Sequence, residues 1–424
     1  MLFLNKSKPQ PPFFMSQNKQ NYTGPLIIIG LLFFVFGFVT WVNGTLIAFF
    51  KKAFGLDTTS SLLVTFAFFI SYTVMAIPSS AVLKKVGFKK GMSLGLGIMA
   101  VGTLIFVPAA LAASYPLFLA GLFTIGIGLT LLQTASNPYA TILGPRESAA
   151  QRISWLGIAN KTAGIISQKV FGGLLLAGGA AGAVVAESAE ESLQKVIVPY
   201  LILTGVLVVL AVLIQFSTGL PEVSEEQEDT LEASAVTKTS PFQFPSLVLG
   251  LIALFCYVGL EVISGDTIIS YGISLGFPES EAKEFGTYTL WLMMAGYVLG
   301  IFLIPKYVSQ SSWLKYSSIL GIIVTVLAVV STGFNSVLCI AVLGLANAIM
   351  WPAIWPLAID GLGKFTKIGS AYLIMMIAGG AVLPLLYGKL ADILHSSQQA
   401  YWILLPLYIF ILYYASIGHK KKSW

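Results

Sequence analysis

The chain has 424 residues, 56% of them hydrophobic and 10% charged, with a mean hydropathy of +0.86. A soluble domain carries roughly 25% charged residues, so this surplus of apolar surface needs lipid as its solvent and excludes an ordinary water-soluble globule. The formal net charge of +6 comes from Lys and Arg scattered between apolar segments, which excludes a nucleic-acid footprint. The two cysteines, Cys256 and Cys339, lie in apolar runs and imply neither a disulfide framework nor a metal cluster.

About 20 apolar residues are needed to cross the hydrocarbon core as a helix. Windows of that size predict an all-α membrane protein with twelve spans, over 25–50, 59–82, 90–111, 116–142, 152–177, 196–217, 246–272, 287–305, 313–332, 335–359, 367–388 and 400–417. A polar tail, 1–24, precedes the first span, which is too long for the apolar core of a signal peptide. Residues 25–218 then form a first six-helix bundle, with a small Gly/Ala/Glu insert at 178–195. An acidic linker, 219–245, holds Glu222, Glu225, Glu226, Glu228, Asp229 and Glu232. The second bundle occupies 246–417, and a basic tail, 418–424, ends the chain. With both termini inside, 17 of the 24 Lys and Arg fall on the cytoplasmic side. That bias predicts a multi-pass protein of the inner (plasma) membrane with cytoplasmic termini.

The fourth and fifth spans carry the strongest anomaly. Gln133-Thr134-Ala135-Ser136-Asn137-Pro138, the hydrophilic break Gly144-Pro145-Arg146-Glu147, and Asn160-Lys161-Thr162 with Gln168-Lys169 are flanked by apolar sequence. A lysine at the centre of a span costs about 2.5–3.5 kcal/mol on insertion scales. Such groups persist where they face a wet cavity or one another. Lys161 lies about 13 Å from the cytoplasmic end at 1.5 Å per residue, too deep to snorkel, so it meets a carboxylate or the cavity. Lys169 is near enough to the outer end to reach water.

The halves repeat. Gln133 stands five residues before Pro138, and Asn347 five before Pro352. Arg152-Ile153 precedes Ala163-Gly164 at the separation at which Lys367-Ile368 precedes Ala378-Gly379. Parallel six-helix repeats are the arrangement of major facilitator transporters, with the substrate near the midplane between the halves. Pro138 and Pro352 are expected to bend their helices or free carbonyls there.

Particular motifs narrow this further. Phe33-Phe34-Val35-Phe36-Gly37-Phe38, Asn43 and Phe50-Lys51-Lys52-Ala53-Phe54, the Gln133 to Pro138 run with Leu143-Gly144-Pro145, Tyr257-Val258-Gly259-Leu260-Glu261-Val262 and Met350-Trp351-Pro352-Ala353-Ile354 resemble the fucose permease and glucose/galactose permease family. The resemblance implies a major facilitator fold and uptake of a hexose-type sugar (glucose, galactose or fucose-like) coupled to a cation. Two departures matter. The fucose permease pattern has an acid directly after the helix 1 asparagine, where this chain has Gly44, and a glutamate where it has Gln133. Neither replacement titrates, although an amide still both donates and accepts hydrogen bonds.

The seventh span offers replacement carboxylates, Glu261 and Asp266, five residues apart and therefore on different sides of a helix. At least one is expected to face the cavity. They can pair with Lys161, bind a cation, carry a proton or hold sugar hydroxyls. Sodium near Asp266, with Ser264, Thr267 and Ser270 close by, and a proton both remain open as the coupling ion. The expected sugar contacts are Asn43, Gln133, Asn137, Asn160, Lys161, Glu261, Asn347 and Trp351, with Asp266 and Glu261 coupling the cation. Trp351 is the strongest ring among Trp41, Trp155, Trp291, Trp351, Trp355 and Tyr271. A monomer without cofactor is expected, with the sugar and the bilayer as its only partners. A non-sugar transporter, a membrane sensor and a lipid carrier on the same fold are the alternatives. Gly91-Met92-Ser93-Leu94-Gly95 and Gly272-Ile273-Ser274-Leu275-Gly276 match a hydrolase nucleophile pattern, but the spans hold no histidine to serve it; no enzyme is expected.

Overall fold

The computed structural model describes residues 23–142, 149–176, 189–217, 238–304, 306–421 and 424. Its first half comprises α1, in the pieces Thr23–Trp41 and Asn43–Ala53, α2 (Leu63–Val86), α3 (Phe88–Leu111), α4 (Tyr115–Ile142), α5 (Ala149–Leu175) and α6 (Ile197–Phe216). The second half comprises α7, in the pieces Pro245–Asp266 and Ile268–Ser274, α8 (Glu279–Leu303) and α9 (Gln310–Val330). It continues with α10, split into Gly333–Asn347 and Met350–Ile359, α11, split into Thr366–Met375 and Gly379–Leu394, and α12 (Leu404–Ser416). Eleven of these regions are long and apolar enough to span a bilayer. The remaining helix, α5, is 27 residues long, but Arg152, Asn160, Lys161, Gln168 and Lys169 dilute its hydropathy. Length and packing make it the twelfth span.

Packing repeats between the halves. In the first, α1 lies against α5, α3 against α4 and α6, and α2 against α4; in the second, α7 lies against α11, α9 against α10 and α12, and α8 against α10. Small residues permit the tightest crossings. A side chain on Gly37 would collide with the Asn160 backbone where α1 meets α5, and one on Gly379 with the Phe255 backbone where α11 meets α7.

The halves meet along α5 with α8 and α2 with α11. Call the face carrying 217 and 245 the linker face; the far face then carries the ends of α1, α5, α7 and α11. The far face is bridged by polar contacts. Lys52 pairs with Glu279 at 2.8 Å and Lys169 with Glu284 at 3.2 Å. The short helix Thr58–Ser61 is capped by its own Asp57, which accepts from Ser60 N, and also by Asp392 of the other half. That carboxylate accepts from Thr58 N (3.1 Å), Thr59 N (2.8 Å) and Thr59 Oγ1 (2.5 Å). The main packing partners of α4 are α1, α2, α3 and α5, all of its own half.

Of the two prolines expected to bend a helix, one marks a break. α4 continues through Pro138 to Ile142. α10 stops at Asn347 and restarts at Met350, so Pro352 lies in the first turn of a new helix, where its missing N–H costs no hydrogen bond. α1 and α7, equivalent in the repeat, are both broken, at Val42 and Thr267, where no proline stands.

A polar cavity between the halves

The breaks in α1 and α7 border a cavity of about 180 Å³ between the halves. Its wall takes Thr40 and Trp41 from α1, Phe69 and Tyr72 from α2, Gln133 from α4, and Asn160 and Lys161 from α5. The second half supplies Tyr257, Val258, Glu261, Val262 and Asp266 from α7, Tyr297 from α8, Trp351 from α10 and Ile377 from α11.

Lys161 is 5% exposed and its ammonium donates to Glu261 Oε1 at 3.0 Å, an ion pair that bridges the halves. The same ammonium sits 4.1 Å from the ring centroid of Trp41, a cation–π contact. The Trp41 indole N–H donates to Asn160 Oδ1 (3.2 Å), and Asn160 Nδ2 donates to the Phe33 carbonyl (3.3 Å). At the α1 break, Gln168 Nε2 donates to the Trp41 carbonyl at 3.2 Å. Trp351 stacks on Trp355 with centroids 5.4 Å apart and leans on Tyr257 at 6.4 Å.

Of the residues expected from sequence, Gln133, Asn160, Lys161, Glu261, Asp266 and Trp351 come together on this wall. Glu261 and Asp266 both reach it, although five residues apart, because Asp266 is the last residue before the α7 break. Asn347 does not reach it. Fully buried, it donates to Ser264 Oγ at 3.1 Å and accepts from Tyr408 at 2.8 Å, a closed packing network. Asn43 is also fully buried and off the wall, with neither side-chain atom hydrogen-bonded. The side chain of Asn137 lies outside the described ones. Trp155 and Trp291 are 63% and 52% exposed on the outer surface, and Tyr271 is engaged with Ser336 at 2.6 Å. Lys169 reaches the outer end as expected, its side chain 54% exposed, and pairs there with Glu284.

Sequence reasoning missed Phe69, Tyr72 and Tyr297. Rings at helical spacing occur on every face of these spans, and only the tertiary packing of α2 and α8 selects the ones that line the cavity. Tyr257 was visible, one turn before Glu261, as part of a recognised motif.

Two parallel six-helix bundles closed around charged and amide side chains at mid-depth define a membrane carrier for a polar solute. The sequence pattern of the Major Facilitator Superfamily matches residues 29–384, and the chain belongs to that superfamily. It is 35% identical to a glucose/galactose transporter of Brucella abortus over 409 residues, covering 96% of this chain and 97% of the relative. It is 27% identical to the L-fucose-proton symporter of Escherichia coli, covering 88% of each. The crystal structure of the transporter FucP in the outward conformation superposes with a TM-score of 0.71 at 25% identity, covering 93% of this chain and 98% of that one.

Proposed function

We propose that this protein is a secondary active transporter that imports a hexose-type sugar by alternating access, coupled to a cation. The observation that carries the reading is the composition of the cavity wall. Sugars present hydroxyl edges and apolar C–H faces. Gln133 and Asn160 can donate and accept at the edges, Glu261 and Lys161 add charged partners, and Trp351 with Tyr257 supplies flat surface. A lipid carrier needs a continuous apolar cleft instead. The names of the glucose/galactose and fucose relatives support the same substrate class.

The distribution of Lys and Arg supports a cytoplasmic linker face in an inner (plasma) membrane. The far face is then external, and its bridges make this the carrier closed to the outside. Transport requires those bridges to part while α4 and α5 close towards α10 and α11 on the other side. No covalent bond changes, and one chain holds the whole cavity, so a monomer suffices.

Uptake of labelled glucose, galactose and fucose into proteoliposomes tests the reading. Gln133→Ala is expected to lower uptake at least tenfold with little change in melting temperature. Undiminished uptake in that variant removes Gln133 from the site, and failure of the parent protein to accumulate any of the sugars overturns the substrate class.

A further inference from the structure

The cation-coupling step proposed above requires a place for the ion. The family acids that the resemblance would supply are absent at Gly44 and Gln133, while the breaks in α1 and α7 cross beside Asp266. A methyl group placed on Gly44 would lie 3.1 Å from the Asp266 Cα, 3.3 Å from its carbonyl oxygen and 3.4 Å from the Gly265 carbonyl oxygen. The two interrupted backbones are thus in contact, one from each half.

At this crossing the hydrogen-bond ladder of α7 lapses. Thr267 N still donates to Ile263, and the next bond runs from Tyr271 N back to Thr267. The carbonyls of Ser264, Gly265 and Asp266 are left without the amides one turn on, as at any helix end. Asp266 itself is 3% exposed, and among the described residues no donor is directed to its carboxylate. Among the described residues the ammonium nearby is that of Lys161, which is bonded to Glu261. The cluster therefore carries two carboxylates against one ammonium. Across the crossing, next to Gly44, Asn43 is fully buried with its amide oxygen and nitrogen both unpartnered.

We infer that the crossing of the α1 and α7 breaks is a sodium site, with the Asp266 carboxylate, the free carbonyls of Gly265 and Asp266, and the Asn43 amide oxygen as its donor set. A proton would neutralise the carboxylate and leave it one O–H donor, enough for one acceptor but not for the two carbonyls and the amide oxygen together. A hard cation with oxygen ligands answers them all, and unwound carbonyls beside a carboxylate are how broken transporter helices hold such ions. Because its donors come from both halves, the ion stabilises their meeting at this point. This site rests on the cation-coupled reading of the cavity.

The test begins without sugar. Purified protein is titrated with NaCl against choline chloride at constant ionic strength, following tryptophan fluorescence and the thermal midpoint. The expected result is a saturable, sodium-specific change that vanishes in Asp266→Asn and weakens at least tenfold in Asn43→Ala. Circular dichroism and elution volume check the fold; if Asp266→Asn does not fold, Asn43→Ala carries the comparison alone. In proteoliposomes, a sodium gradient should drive glucose accumulation in the parent and not in Asn43→Ala. Accumulation driven by a pH gradient alone, with no sodium-specific change in the purified protein, overturns the sodium site and leaves sugar symport standing. Sodium-specific binding without sugar uptake under any gradient does the reverse.

Discussion

Lys161 shows how one residue is made tolerable at membrane depth. Its charge is met by Glu261 at 3.0 Å and by the face of Trp41, and the Trp41 indole is held in turn by Asn160. Removing one member of a buried pair leaves the other uncompensated and costs about 3–5 kcal/mol in a dry interior; a cavity wall softens this towards the lower figure. Lys161→Ala is therefore expected to lower the melting temperature of the purified protein clearly. Glu261→Ala should do likewise, while the double variant recovers part of the loss. A double-mutant cycle on thermal midpoints measures the coupling, and strictly additive losses would rule out a direct pair. The sequence already marked Lys161, because a lysine has no inexpensive place among apolar residues. It also marked Glu261 and Asp266 as possible partners. Which of the two takes the ammonium depends on where α7 breaks, and that is not written in the local residues.

Among the elements, the spans were legible and their interruptions only in part, the break before Pro352 being the one that proline marked. Hydropathy placed most apolar regions within a few residues of the helices, missing chiefly the polar first turns of α8 from Glu279 and the last turns of α11 to Leu394, and even the diluted α5 stood out by its polar residues. Proline drew attention to positions 138 and 352, yet α1 and α7 break at Val42 and Thr267, where neither residue disfavours a helix strongly. Those breaks come from tertiary contact. Gln168 takes up the Trp41 carbonyl, and the backbones of α1 and α7 meet at Gly44. Asn43 and Asn347 were expected on the cavity wall because amides in a span imply a polar surface; packing gave Asn347 its own closed set of partners. Two predictions belong at this scale. Gly37→Ala should cost about 1–3 kcal/mol through overpacking against the Asn160 backbone, read as a fall in thermal midpoint. Asp392→Ala removes three hydrogen bonds to a charged acceptor across the far face. A loss of about 1.5 kcal/mol shifts a two-state ratio roughly tenfold. With Cys256 and Cys339 replaced by serine, a cysteine introduced by Ser61→Cys, at a position now buried, should then react correspondingly faster with an impermeant maleimide. An unchanged rate would mean that Asp392 does not help to hold the far face shut.

For the whole molecule, the two halves share one packing plan but not one set of polar groups. The ammonium comes from the first half and both cavity carboxylates from the second. Any rocking of the halves must therefore stretch or exchange the Lys161–Glu261 bridge. Saturating sugar should change the reactivity of the Ser61→Cys variant, because occupancy at the midplane and closure at the far face are coupled through the same rigid helices. Equal reactivity with and without a bound sugar would separate the two. Gly44 carries a last consequence. Any larger side chain there, an acid included, would press on the backbone of Asp266, its Cβ standing 3.1 Å from the Asp266 Cα. A carboxylate on the first half at that point would crowd the present approach and add a third acid to Glu261 and Asp266, so the bare backbone at Gly44 keeps this crossing both close and less negative.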